Sequence, residues 1–125
     1  MSDGWIGFDL DGTLAKTFEA TPGERPLGKV GEPIPTMIAR VKWWLAKGYP
    51  VRIVTARVAP PLDHQSSEEQ HATISTWCKE NIGEHLPITD HKDLDMLVLY
   101  DDRVVQVEQD TGRLLGPEPE WKDDA

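Results

Sequence analysis

The sequence predicts an α/β domain built on a mainly parallel sheet, and three observations predict it. Short apolar runs recur at residues 5–8, 51–56 and 96–100, stretches of helical periodicity alternate with the first strand-like runs, and polar groups stand where the runs end. Strand, helix, strand, helix, strand is the order of a Rossmann-like, three-layer fold with helices on both faces of the sheet, here closed by a C-terminal β-hairpin.

Each element has its own signal. Residues 5–8 are apolar and aromatic-rich, a first strand ending at the stretch "GFDLDGTLA" with Asp9 and Asp11. Residues 15–33 carry Gly23, Gly28, Gly31, Pro22, Pro26 and Pro33 without periodicity and read as a long loop. From Ile34, the residues Met37, Ile38, Val41, Trp44 and Leu45 follow helical spacing, and Gly48 stands where a C-terminal cap belongs. The β-branched "VRIVTA" is a second strand. "PPLDHQ", with His64, then breaks the chain, and Ser67 with Gln70 forms a capping box that opens a helix through Ile74, Trp77 and Cys78 to about Gly83. "LPIT" and "MLVLY" are further strands, the latter ending in Asp101-Asp102, and "VVQVEQDTGRLLG" alternates and turns at residues 110–112. The expected organisation is one domain over residues 1–116 and a mobile acidic tail over 117–125.

Composition narrows the function classes. A length of 125 residues suits one domain with a real core, and 28% charged with 38% hydrophobic residues is globular composition. No run approaches the roughly 18 apolar residues of a membrane span. The start "MSDGWIGFD" lacks a basic region followed by an apolar stretch, and the single Cys78 suits a reducing compartment, so a cytoplasmic protein without membrane partners is expected. The formal charge of −9 disfavours non-specific binding to nucleic acid.

In parallel sheets ligands bind beyond the carboxyl ends of the strands, where strand order reverses. Asp9 and Asp11, Thr55, and Asp101 with Asp102 all fall at such ends. Side chains two apart on an extended segment point the same way, so Asp9 and Asp11 face one site. Four carboxylates together are costly unless a hard cation neutralises them, and Mg²⁺ is the natural one, bridging an acidic pocket to a phosphate ester or anhydride. An aspartate can also attack phosphorus while a second carboxyl protonates the leaving oxygen and later deprotonates water. Asp9 and Asp11 fit those two jobs. Thr55 can donate to a phosphoryl oxygen and Lys92 can supply positive charge, while Gly12 permits the sharp turn after the pair. Gly12, Thr13, Ala56, Arg57 and Lys16 complete the candidate phosphate- or substrate-binding set.

These segments resemble the haloacid-dehalogenase-like superfamily of aspartyl-phosphate phosphohydrolases. "FDLDGTL" resembles its first motif, "IVTAR" its second, and "HKDLDMLVLYDD" its third and fourth, so the likeness spans residues 5 to about 107. It implies Asp9 as nucleophile, Asp11 as acid/base, Thr55 and Lys92 as phosphate donors, and Mg²⁺ held by Asp9, the Asp11 backbone carbonyl and Asp102 or Asp101. Lys92 stands close before the fourth motif, leaving no room for a helix between them; Lys16 or Arg57 are alternatives for its role. No gap here holds the cap domain that the superfamily usually adds. The chain is therefore similar to its compact capless branch, which includes small phage and bacterial proteins, and "DGTLAK" is similar to polynucleotide-end phosphatase domains. The implied substrate is a phosphate on a small metabolite, a nucleotide or a polynucleotide end, and a homo-oligomer could close the open site.

Blander readings compete with this one. A lone acidic pair before glycine is usually a solvated turn, and Asp-x-Asp-Gly is also the start of a calcium loop; that loop needs glycine sixth, whereas Gly12 comes fourth from Asp9. His64, His71 and Cys78 recur every seven residues without zinc spacing, and Cys78 reads as a core side chain. Trp43 and Trp44 read as the rim and core of a helix. Two rival functions keep the fold: a binding or regulatory module without turnover, and a phosphotransferase.

Overall fold

The computed structural model describes residues 4–17, 28–60 and 64–119. Their elements are β1 (Trp5–Asp9), α1 (Pro35–Ala46), β2 (Val51–Val54), a one-turn 3-10 helix (Ala56–Val58), α2 (His64–Asn81), β3 (Ile88–Thr89) and β4 (Met96–Tyr100). The four strands form one sheet in the order β3-β2-β1-β4, every neighbouring pair parallel. The chain steps from β1 through β2 to β3 in one direction and then returns to the far side of β1. Strand order therefore reverses between β1 and β4.

Register decides which side chains make the core. Ile6 pairs with Val51 and Phe8 with Ile53, so these four share one face of the sheet. They are buried in a single cluster with Ile38 and Val41 of α1 and Ile74, Trp77 and Cys78 of α2. Phe8 also stacks on Tyr100, with ring centroids 4.5 Å apart. Both helices thus cover the same face, as two right-handed crossovers taken in the same direction require.

The expected helix layer on the other face is not found among the described residues. Its absence follows from the β3–β4 connection, which is too short to contain a crossover helix. That connection lies against the helix-free face. The Trp5 indole N–H donates to Asp93 at 2.8 Å, Arg52 Nη1 donates to the other Asp93 oxygen at 3.2 Å, and the Arg52 guanidinium lies 4.4 Å from the Trp5 ring centroid. These contacts hold the Asp93 carboxyl below its ordinary range, the indole hydrogen bond first. Gly7 fits closely on this face, where a Cβ would come within 3.1 Å of the Leu99, Trp5 and Val54 side chains.

Helix ends follow local chemistry. Pro35 opens α1 at a position where its missing N–H costs nothing, and Gly48, at φ +89°, ends it. The second helix begins at His64 rather than at Ser67, so His64 belongs to α2 and not to the loop before it. Nothing after Pro61 blocks helical dihedrals. Within the long loop, Lys16 N–H donates to Glu32 and Ile34 N–H to Leu14, which closes its two ends together; residues 18–27 lie outside the described residues. The predicted hairpin is reduced to an antiparallel bridge between Val107 and Leu114 around Asp110 (φ 66°) and Gly112 (φ 78°). Of the tail, residues 120–125 lie outside the described residues. Among those described, no helix is long and apolar enough to cross a membrane.

Candidate active site

Four parallel strands bring their carboxyl ends to one edge of the sheet, and the chemistry-bearing residues follow from that. Asp9 is the last residue of β1, Thr55 follows β2, Asp90 follows β3, and Asp101 and Asp102 follow β4. A cleft of about 400 Å³ is lined there by Asp9, Asp11, Val54, Thr55, Ala56, Arg57, Ala59, Asp90, Asp101 and Arg103. A groove of similar size, about 410 Å³, runs along α2 beside Val30, Thr73 and Trp77 but gathers no such set of charges. Chemistry rather than volume marks the site.

The carboxylates of Asp9, Asp101 and Asp102 offer oxygens that all lie within 4.8 Å of one another, at the point where strand order reverses. Half-buried Asp9 is pushed up from 3.8 to about 7, first by burial, then by a hydrogen bond with Asp102 and the charges of Asp101 and Asp102. The Thr13 hydroxyl lies 3.3 Å from both Asp9 Oδ2 and Asp102 Oδ1, so its single hydrogen serves one carboxylate at a time.

A tight turn sets this geometry. Leu14 and Ala15 N–H both donate to the Leu10 carbonyl, and Gly12 N–H donates to Ala15. Gly12 sits at φ +88°, and a Cβ there would collide with the Asp102 carboxylate. Replacing Gly12 with Ala is therefore expected to destabilise the protein by about 1–3 kcal/mol and to displace Asp102. Chemical denaturation of the two proteins measures the first effect.

Arg57 governs Asp11. Its Nε and Nη2 donate to the two Asp11 oxygens, each at 2.7 Å, and its Nη1 donates to the Lys29 carbonyl at 2.7 Å. The arginine side chain is only 8% exposed, so this bidentate pair is better sheltered from water than a surface ion pair. Thr55, buried, caps the 3-10 turn by accepting from Arg57 N–H at 3.2 Å. Its own O–H therefore remains available to an acceptor in the cleft.

Of the residues singled out by sequence, Asp9, Asp11, Thr55, Ala56, Arg57 and Asp101 line the cleft, while Gly12, Thr13 and the exposed Asp102 line a second groove that shares Asp101 with it. Lys92 is exposed on the β3–β4 connection and does not line the cleft. Lys16 is exposed and paired with Glu32 at 3.8 Å. Cys78 is buried, with its thiol pushed up to about 11 by burial, as a core side chain should be. Four lining residues escaped the sequence reading, the apolar Val54 and Ala59 and the charged Asp90 and Arg103. The rule that picked out the other strand ends would have found Asp90 at the end of β3.

No protein-family model and no curated protein matches the sequence. The fold is similar to that of a conserved protein coded by a locus from Bacteroides thetaiotaomicron, 18% identical, with a TM-score of 0.53 over 80% of this chain and 76% of that one. The likeness is one of fold. The α/β architecture with a parallel, Rossmann-like sheet stands on it and on the topology above.

Proposed function

We propose that this chain is a Mg²⁺-dependent phosphatase that hydrolyses a phosphate monoester through an aspartyl-phosphate on Asp9. The observation that carries the reading is the meeting of Asp9, Asp101 and Asp102 within 4.8 Å beside a cleft that also holds Asp11, Thr55 and Arg57. The donor set fits the ion: three carboxylates, one of them, Asp9, pushed up by burial and then by the other two, and a glycine that leaves room for Asp102. Asp9, the Asp11 backbone carbonyl and Asp102 or Asp101 would hold Mg²⁺, which supplies charge neutralisation and polarises a phosphoryl oxygen.

The chain's own groups account for the bond changes. Asp9 attacks phosphorus, the bond from phosphorus to the ester oxygen breaks, and Asp11, entering the step protonated on one oxygen with Arg57 holding the other, gives the ester oxygen its proton. Asp11 then takes a proton from water, whose oxygen attacks the phosphoryl group and frees Asp9. The Thr55 hydroxyl donates to a phosphoryl oxygen, and Arg57 fixes the plane of the Asp11 carboxylate. Replacing Arg57 with Ala is expected to lower kcat by roughly 10–100-fold with a smaller change in KM, because it frees Asp11 from its productive orientation. Steady-state kinetics on the two proteins check the split.

Phosphate release from sugar phosphates, nucleotides, a 3′-phosphorylated oligonucleotide and a phosphopeptide, in Mg²⁺ and in EDTA, tests the reading and identifies the substrate class. Release that EDTA abolishes supports it; no release from any of them contradicts it. One observation favours a second reading, a binding module without turnover: Arg57 engages both Asp11 oxygens, as a site with no use for an acid could allow. Mg²⁺ binding without phosphate release would select it. The composition that suggests a cytoplasmic setting belongs equally to both readings.

A further inference from the structure

The two edges of the sheet are built differently. At one edge β3 has only two residues, and a short edge strand offers little to pair with. At the other edge β4 is an apolar run, Met-Leu-Val-Leu-Tyr, that carries no charge or proline; its one irregularity is a register shift against β1 between the pairs Trp5–Met96 and Ile6–Val98. Such a run is the pattern of an interior strand. Yet β4 pairs only with β1 among the described residues, with Leu97 52% and Val98 39% exposed where its register with β1 shifts.

The apolar surface continues on either side of β4. Leu94 before it is fully exposed, and Val104, Val105, Val107, Leu114 and Leu115 after it are exposed on the bridged arm. With Leu97 and Val98 these make eight large apolar residues, each at least 36% exposed, within residues 94–115, a density of exposed apolar side chains that marks an interaction surface.

We propose that the chain forms a two-fold homodimer by antiparallel pairing of two β4 edges, joining two four-stranded sheets into one of eight strands. A two-fold axis needs one self-complementary surface, and identical edge strands provide it. In an antiparallel pair the arm that follows β4 in one copy runs past the start of β4 in the other. There its valines and leucines meet the exposed Leu94.

Light scattering coupled to size exclusion on the full chain, loaded at about 100 μM, tests the proposal. Twice the chain mass of 14.0 kDa is expected. Two substitutions at exposed positions, Leu94→Lys and Leu97→Lys, should each weaken the dimer at least about tenfold. Together they should give a 14.0 kDa species with wild-type circular dichroism. A monomeric wild type overturns the proposal, including one whose β4 amides are protected from exchange by a segment of its own chain. So does a folded double variant that remains dimeric.

Discussion

Replacing Asp9 with Asn is expected to reduce phosphate release by a factor on the order of 10³ or more while leaving the fold intact. The substitution keeps the size of the side chain and removes the proposed nucleophile. It should not injure packing, because Asp9 is half-buried at the end of β1 and both of its partners suit an amide: the Thr13 hydroxyl can donate to the amide oxygen, and the Asp102 carboxylate can accept from the amide N–H. Asp11→Asn should behave differently. It leaves the nucleophile in place but removes the proton donor and base, so both half-reactions slow, and the second slows most where the leaving group needs no proton. The two variants are separated by the initial burst: absent in Asp9→Asn, present in Asp11→Asn with an activated aryl phosphate. Equal residual activity in both would remove the distinction between nucleophile and acid/base.

The metal-free protein is expected to lose stability as pH rises through the range in which Asp9 titrates. Asp9 is raised from 3.8 to about 7, so between these values the folded state binds more protons than the unfolded one. Stability from this group therefore falls as pH increases from about 4 to about 7 and is flat above. Water screens a half-buried carboxylate, so the loss amounts to about 1–2 kcal/mol rather than the larger value for a fully desolvated group. Other carboxyls titrate in the opposite sense, among them Asp93 and Glu108, which their partners hold below the ordinary range. The difference between wild type and Asp9→Asn isolates the effect. In EDTA the Asn variant should gain in Tm relative to wild type as pH rises to 7, and millimolar Mg²⁺ should stabilise wild type and not the variant. A pH-independent difference in EDTA would remove the repulsion from the account.

Much of the site could be read from sequence because it depends on strand ends. An apolar run that stops at an acidic residue fixes both the strand and the position of its side chain along the sheet. Thus Asp9, Thr55, Asp101 and Asp102 came together as soon as the strands were parallel. The bounds of β4 were legible for the same reason. What escaped depends on tertiary contacts without a local signal. Arg57 was recognised as basic and near the second strand, but its bidentate hold on Asp11, 46 positions away in sequence, is set by the 3-10 turn that aims it. The single-sided helix layer was hidden because the pattern of alternating elements does not state strand order. Once β3 and β4 are joined by a few residues, Trp5, Arg52 and Asp93 occupy the face a third layer would have covered. Similarly, the alternation of residues 104–115 gave a hairpin, and the structure keeps its turn but only one bridge of its ladder.

Covalent catalysis at Asp9 is decided by a search for the phosphorylated intermediate itself. Protein turning over an activated aryl phosphate in Mg²⁺ is quenched in acid, digested, and the peptide carrying Asp9 and Asp11 is analysed by mass spectrometry, with Asp11→Asn run in parallel to accumulate the species. One added phosphoryl group located on Asp9, removed by hydroxylamine and absent from Asp9→Asn, is the predicted result. Continued phosphate release with an unmodified peptide in both wild type and Asp11→Asn would contradict covalent catalysis at Asp9.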